Sequence, residues 1–318
     1  MDKANNRIQP PARVGKQRMD MFLAACEGRA SQEEFEKGLL SGRARASEGL
    51  GRGGIGPLHA AARGVQSEHA RQLIEAGADP NLRDDVARSP LMVACGQGAA
   101  DIAKALLEAG ARVDCLSAQG RSPLMEAASV GSAECVELLL GAGAQVDYGL
   151  TTGWTALTEA CRAGRFECAR ILLAAGASVA GELAPPPLDS EDHRGGGQDE
   201  EPVVRCWEPI LSAAVGGRVE CVRALLAAGA SPDARDGQGH TGLMLALSRK
   251  EGACAFELMA AGADLDAVDL GGRQAWDHAG DRRDHWREMF AQERLRREVA
   301  ALEVAAAPAA SKPKLPRL

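Results

Sequence analysis

A tripeptide, Ala-Gly-Ala, recurs in fixed register and constrains the fold more than any other feature of this chain. Successive copies are 33 residues apart except for one interval of 53, and their glycines are Gly77, Gly110, Gly143, Gly176, Gly229 and Gly262. Each copy follows an apolar segment, and glycine at such a place is the usual left-handed residue that ends a helix. A 33-residue period of coincident helix ends predicts a stacked repeat protein.

A helix start lies at a constant distance before each of these glycines. In the unit 117–149, Ser122 precedes Pro123. A Ser hydroxyl can accept a hydrogen bond from an orphan N–H group, and Pro fits the first helical position because it lacks one. Gly131 ends this first helix, and a second apolar helix runs up to Gly143. One repeat therefore consists of two short helices and a polar turn.

The helix starts form a motif in successive repeats. They read Gly56-Pro57-Leu58-His59, Ser89-Pro90-Leu91-Met92, Ser122-Pro123-Leu124-Met125, Thr155-Ala156-Leu157-Thr158, Glu208-Pro209-Ile210-Leu211 and Thr241-Gly242-Leu243-Met244. This motif resembles the Thr-Pro-Leu-His helix start of ankyrin-repeat proteins, although no repeat keeps all four residues. Over about residues 51 to 280 the resemblance implies an all-α repeat solenoid, an ankyrin-like stack of helix pairs with β-turn fingers. It also implies binding to another protein, without naming the partner.

The repeat register divides the chain into segments. We expect a disordered N-terminus over 1–18, and over 19–50 a degenerate capping helix pair followed by a Gly/Arg-rich linker. The repeats are 51–83, 84–116, 117–149, 150–182, 203–235, 236–268 and a partial one at 269–280. An acidic, Pro/Gly-rich insertion occupies 183–202. Residues 281–305 are predicted to form a helix that closes the apolar end of the stack, and 306–318 a basic disordered tail. A partner-binding role for that helix is the alternative.

Composition and charge narrow the functional classes. The net charge of −7 argues against a general polyanion binder. The sequence contains no apolar run long enough for a transmembrane helix and no signal peptide, so we expect no membrane association. We expect a monomer in the cytoplasm, with the nucleus as the alternative compartment.

Seven of the nine cysteines follow the repeat register, with Cys26, Cys95 and Cys161 near the ends of first helices. Cys135, Cys168, Cys221 and Cys254 occupy one slot early in the second helices. Periodic placement of this kind is typical of small core residues. Disulfides between neighbouring helices are not expected, because packed helices are about 8–10 Å apart and disulfide-linked Cα atoms are closer than about 7 Å.

Catalytic and metal-binding motifs are not evident. The six histidines form no pair with metal-binding or triad spacing, and Cys-x-x-Cys, nucleophile-elbow and Walker-type sequences are absent. We therefore expect no enzyme activity, no cofactor and no metal.

The strongest candidate site is a stripe of residues immediately before the helix N-caps. The resemblance implies that these residues lie on the concave side, where ankyrin-type stacks usually bind proteins. After Ile55, the stripe reads Arg88, Arg121, Trp154, Trp207, His240 and Arg273. Flanking positive charge is expected from Arg63, Arg162, Arg83 and Arg235. Trp and Arg are the residue types that dominate interface hot spots.

A concave Arg/Trp groove favours an acidic or amphipathic segment of another protein as its ligand. The function predicted is thus a non-enzymatic interaction module or scaffold. A first alternative is a regulatory subunit whose acidic insertion occupies its own groove until a ligand displaces it. A second alternative is a nucleic-acid binder, in which Arg holds phosphate and Trp stacks on bases. The negative net charge and the lack of lysine clusters argue against the second.

Overall fold

The computed structural model describes residues 11–41, 53–148, 154–180 and 208–306, and the regular structure in these ranges is helical. The described ranges contain fifteen α-helices: α1 Pro11–Cys26, α2 Gln32–Leu40, α3 Pro57–Arg63, α4 Ser67–Glu75, α5 Pro90–Gly96, α6 Ala100–Glu108, α7 Pro123–Val130, α8 Ala133–Gly141, α9 Ala156–Ala163, α10 Phe166–Ala174, α11 Pro209–Val215, α12 Val219–Ala227, α13 Gly242–Ser248, α14 Gly252–Ala260 and α15 Arg283–Ala306. Two isolated antiparallel bridges, Arg235 with Thr241 and Val268 with Gln274, close the last two fingers. The predicted all-α repeat solenoid is confirmed.

The first helix of a repeat begins where its local sequence provides a cap. The hydroxyl of Ser122 accepts a hydrogen bond from the Met125 N–H at 3.2 Å, and Pro123 occupies the first turn of α7. Ser89, Thr155 and Thr241 cap α5, α9 and α13 in the same way. The start of each of these helices is therefore determined within four residues.

The second helices end at the six recurring glycines. All six have φ between 83° and 93°, in the left-handed region. A Cβ atom built on Gly143 or Gly229 would meet no atom within 4 Å. Glycine is needed at these positions for its backbone conformation and not for lack of space.

Repeats stack through like elements. The first helices α3, α5, α7, α9, α11 and α13 pack side by side, and the second helices α4, α6, α8, α10, α12 and α14 do the same. Helix α9 packs directly on α11, although the interval that contains the insertion separates them in sequence. The register of the stack therefore continues across the long interval. The insertion 183–202 itself lies outside the described residues.

The core of the stack is thin and built from small residues. Ala and Leu side chains of both helix layers join one continuous hydrophobic cluster. The eight cysteines within the described residues are buried, and none of these eight forms a disulfide. All of them except Cys115 belong to the hydrophobic cluster, which confirms that the cysteines in the repeat register act as small core residues. Cys206 lies outside the described residues.

The N-terminal helix is longer than predicted. Helix α1 begins at Pro11, whereas the sequence analysis expects disorder up to residue 18. In the C-terminal half of α1, Phe22 and Cys26 are buried and anchor the helix. Phe22 stacks on Phe35 of α2 with ring centroids 6.0 Å apart. Once that half is anchored, each added residue contributes a hydrogen bond without a new nucleation cost, so the helix extends back to a proline suited to its first turn.

The C-terminal helix α15 covers the end of the stack with its first half. Trp286 and Phe290 are buried, and Phe290 contacts the ring of Trp276 at a centroid distance of 5.7 Å. Arg297 donates to the carbonyl oxygens of Met259 (2.6 Å) and Ala263 (2.9 Å), which satisfies acceptors near the end of α14.

The second half of α15 extends past the stack. Leu295, Val299 and Leu302 are exposed, although the whole segment 281–305 was predicted to close the stack. The reason is length, because the 24 residues of α15 span about 36 Å at 1.5 Å per residue and the repeat helices have only 7 to 9 residues.

No helix in the described ranges is long and apolar enough to cross a membrane.

Candidate partner-binding surface

The predicted stripe lies on the side of the stack formed by the fingers and the first helices, here called the first-helix face. The side chains of Arg88 and Arg273 are 42% and 58% exposed, and that of Arg121 is 24% exposed. Trp154 is half-buried. Trp207 lies outside the described residues, so the predicted Trp pair is described only at its first member.

An acidic residue four positions earlier holds the basic residue in three of the fingers. In the first of them, Asp84 Oδ1 accepts the N–H groups of Val86 and Arg88, while Asp84 Oδ2 accepts Arg88 Nε at 2.9 Å. Asp269 makes the same three kinds of contact with Gly271 and Arg273. One oxygen of the carboxylate therefore holds the backbone of the turn, and the other oxygen orients the guanidinium.

The third pair of this kind contains a histidine. Asp236 Oδ1 accepts the N–H of His240 at 2.8 Å, and Asp236 Oδ2 contacts His240 Nδ1 at 2.9 Å. In the finger with Arg121, Ser117 replaces the acid and accepts only the Arg121 N–H. An Asp four residues before Arg or His in the repeat register is the sequence signal for this contact, which was not among the predictions from the sequence.

Hydrogen bonds favour the ionised form of Asp269 and of Asp236. The Arg273 N–H is the largest influence on Asp269 and, with the Arg273 guanidinium and the Gly271 N–H, lowers the pKa of Asp269 to about 2 against the opposing effect of burial. Burial would raise the pKa of Asp236, but hydrogen bonds from His240 outweigh it and lower that pKa. These two fingers thus carry negative charge beneath the basic stripe.

A buried carboxylate links the third and fourth repeats. Glu159 on α9 has a side chain that is only 3% exposed, and it accepts hydrogen bonds from Arg121 Nη1 and from Arg162 Nη2, the latter at 2.8 Å. Arg121 Nε also contacts Glu126 Oε1 at 2.7 Å. Burial would raise the pKa of Glu159, but the bonds from Arg121 and then Arg162 more than offset it and lower that pKa.

A shallow groove of about 320 Å³ lies on the first-helix face between α3, α5 and α7. Its lining combines two arginines, one glutamate and a floor of α5: Arg63, Arg88, Glu126, Met92, Val93, Gly96 and Gln97. Arg63, with a 44% exposed side chain, contacts Glu27 at 3.6 Å. The surface expected to be a basic groove is therefore one of alternating charge, because acids from the same finger or the neighbouring helix face its arginines.

Two of the predicted flanking arginines hold neighbouring fingers together. Arg235 donates to the carbonyl oxygens of Gly239 (3.2 Å) and Val268 (2.8 Å). Arg83 donates to Ala87 and Leu116, and its bond to Ala87 is 3.0 Å. In each case the second acceptor is 33 residues further along, in the next finger. These contacts assign Arg83 and Arg235 a stacking role that the sequence analysis did not predict.

The last two fingers bring together residues that sequence spacing had kept apart. His278 Nε2 lies 3.1 Å from Asp269 Oδ2, and His240 Nε2 lies 3.6 Å from the same oxygen. The two imidazole rings meet edge to face with centroids 5.4 Å apart. Burial, with a further effect from Arg273, lowers the pKa of His278. The sequence analysis found no histidine pair with metal-binding spacing, because His240 and His278 meet only through the offset between stacked repeats.

Comparison with known proteins agrees with this architecture. The family model described as ankyrin repeats (3 copies) matches residues 21–117, 58–149 and 91–181. The family model described as ankyrin repeats (many copies) matches residues 210–256. The chain is similar to the crystal structure of the human ASB11 ankyrin repeat domain, with 32% sequence identity and a TM-score of 0.61. That similarity covers 71% of this chain and 93% of the ASB11 chain. No curated protein sequence matches the chain.

The family models together span more than half of the chain, and they coincide with the helix pairs and left-handed glycines described above. The chain therefore belongs to the ankyrin-repeat family, whose repeats are generally protein–protein interaction modules.

Proposed function

We propose that this chain is a non-enzymatic interaction module that holds a segment of a partner protein on its first-helix face. The segment carries carboxylates together with apolar side chains. The observation that carries the proposal is the groove in which Arg63 and Arg88, both about half-exposed, stand beside the apolar floor of Met92 and Val93. This pairing of aimed cations with an apolar floor suits an amphipathic acidic ligand.

The arginines in the groove are positioned by their acids but remain open to solvent on one side. In each pair the acid is nearly buried, while the arginine side chain is 42% exposed at Arg88 and 44% exposed at Arg63. Asp84 engages the Nε and Nη2 atoms of Arg88, so a ligand carboxylate would approach the Nη1 side of that guanidinium. Charge-assisted bonds between guanidinium and carboxylate are among the stronger hydrogen bonds in interfaces. The rigid stack would lose little conformational entropy on forming them.

Recognition of an acidic ligand by an acidic protein must be local. The chain has a net charge of −7, and the interaction between exposed charges decays over about 8 Å at physiological ionic strength. Binding is therefore expected to weaken with salt, but the contribution of the Met92 and Val93 floor is expected to persist.

The experiment is a pair of charge-matched variants compared in affinity capture from cell extract and in selection from a random peptide library. The test variant is Arg63→Gln with Arg88→Gln. The control is Arg170→Gln with Arg223→Gln, which removes the same charge from exposed side chains on the second helices α10 and α12. Circular dichroism first establishes that both variants are folded.

We expect the wild-type chain and the control to select the same proteins and to enrich peptides that contain Asp or Glu next to apolar residues. The test variant is expected to lose them. If the test variant retains the same ligands, or if the enriched peptides lack acidic residues, the first-helix groove is not the binding surface.

A further inference from the structure

The cluster of His240, Asp269 and His278 has the composition and the spacing of a metal site. One ligand atom from each of the three residues lies within 4.8 Å of the others. A tetrahedral zinc site with bonds of about 2.0–2.1 Å places its donor atoms about 3.3 Å apart. The distances of 3.1 Å and 3.6 Å from Asp269 Oδ2 to the two Nε2 atoms lie on either side of that value. The donor atoms of the two histidines lie within 4.8 Å of each other, and a small rotation of the partly exposed His240 ring can adjust that separation.

The surrounding hydrogen bonds orient the donors. Asp236 Oδ2 lies 2.9 Å from His240 Nδ1, and this contact orients the ring so that Nε2 faces Asp269. A carboxylate behind the distal nitrogen of a histidine is the usual outer support of a metal ligand. The N–H groups of Gly271 and Arg273 hold Asp269 Oδ1, so that Oδ2 faces both imidazoles. His240 and Asp269 are therefore supported from outside the cluster.

The same arrangement gathers donor atoms around one buried oxygen. His240 Nε2 lies 3.6 Å from Asp269 Oδ2, and the side chain of Asp269 is only 1% exposed. A buried carboxylate needs positive charge or hydrogen-bond donors close by, because burying an unpaired charge is costly. A metal ion between the three groups would supply positive charge to this carboxylate.

Arg273 now supplies part of that positive charge. Its Nε lies 2.9 Å from Asp269 Oδ2, but its side chain is 58% exposed. The exposed guanidinium can rotate into solvent when another cation takes its place beside the buried Asp269 carboxylate. Arg273 is thus a competitor for the site and not a part of it.

We propose that His240, Asp269 and His278 bind a zinc ion, with the fourth position open to water. Two imidazole nitrogens and one carboxylate oxygen match the ligand sets of three-residue zinc sites. The ion would join the sixth repeat to the partial seventh one, and its binding would stabilise the C-terminal end of the stack by mass action.

The test is calorimetric titration of the full chain with Zn²⁺ after removal of metal, in the presence of a non-thiol reductant. His240→Gln with His278→Gln is the test variant, and His285→Gln is the control, since His285 is an exposed histidine outside the cluster. We expect the wild-type chain and the control to bind one equivalent, and the test variant to bind none at that site. Zinc should raise the melting temperature only of the proteins that bind it.

Two further variants separate this site from adventitious binding. Asp236→Asn should lower the affinity for zinc about 10- to 100-fold, because it removes the carboxylate that orients a metal-binding histidine. Arg273→Gln should tighten it, because the competing cation is removed while the Arg273 N–H remains. Co²⁺ bound in place of zinc should show no thiolate charge-transfer band. The proposal is overturned if the wild-type chain does not bind zinc stoichiometrically. It is also overturned if the double histidine variant binds zinc equally well, or if the Co²⁺ form shows a thiolate band.

Discussion

The buried Glu159 offers the most direct test of how the repeats are held together. Replacing it with Gln keeps the size of the side chain and removes its charge. Hydrogen bonds to charged groups contribute about 1.5–3 kcal/mol each. The Arg162 side chain is 51% exposed, so solvent screens its bond and the contribution of that bond lies at the low end of this range. The Arg121 side chain is only 24% exposed, so its bond is screened less. Since Arg121 keeps Glu126 as a partner, we expect a loss of about 2 kcal/mol.

The pH dependence identifies the cause of that loss. The folded protein lowers the pKa of Glu159 below its ordinary value of 4.5. The carboxylate therefore contributes fully above pH 4.5, and its contribution is lost as pH falls through the folded-state pKa. The Gln variant has no such proton to bind. The difference in unfolding free energy between the two proteins should be largest at neutral pH and should shrink below pH 4.5. Other carboxylates are common to both proteins and cancel in the difference.

The assay is urea unfolding followed by far-UV circular dichroism, with midpoints compared at equal slope. In a domain of about 150–250 residues, a loss of about 2 kcal/mol corresponds to a melting temperature lower by about 4–8 °C. Glu167→Gln is the matched control, because Glu167 pairs with Arg170 where both side chains are more than half exposed, and it should change stability by under about 0.5 kcal/mol. Equal stability of the Glu159 variant and the wild-type chain at neutral pH would refute the reasoning. A difference that stays constant below pH 4.5 would do so as well.

Two further predictions concern the stack itself. Trp286→Ala should lower the unfolding free energy by about 3–5 kcal/mol in chemical denaturation, because Trp286 is buried against the end of the stack. Leu295→Ala, on the exposed half of the same helix, should have almost no effect on that free energy. Similar losses from both variants would contradict the assignment of the first half of α15 as the part that covers the stack. Gly143→Ala should lower stability by about 1–2 kcal/mol in the same assay, since Gly143 has a φ of 89°. Gly141→Ala is its control, because it also meets no atom within 4 Å but lies in helix α8; it should be neutral or slightly stabilising.

The sequence alone determined the repeat, its period and the fold class. A capping Ser, a Pro in the first turn and a Gly at φ near 90° act on the backbone within a few residues, so their effects are readable without knowing what packs nearby. The same locality explains why the cysteines could be assigned to the core from their register. The length of α1 was misjudged because helix extension depends on anchoring by Phe22 and Cys26 against the next helix.

Only the tertiary structure decided the charge pattern and the cluster of the last two fingers. Glu159 meets Arg121 across 38 residues, and His240 meets His278 across the same separation. Such contacts arise from the translation between stacked repeats combined with the direction of each side chain, and no local preference specifies either. The arginines of the predicted stripe therefore carry acidic partners that the sequence did not predict. For the same reason two of the flanking arginines, Arg83 and Arg235, hold fingers together.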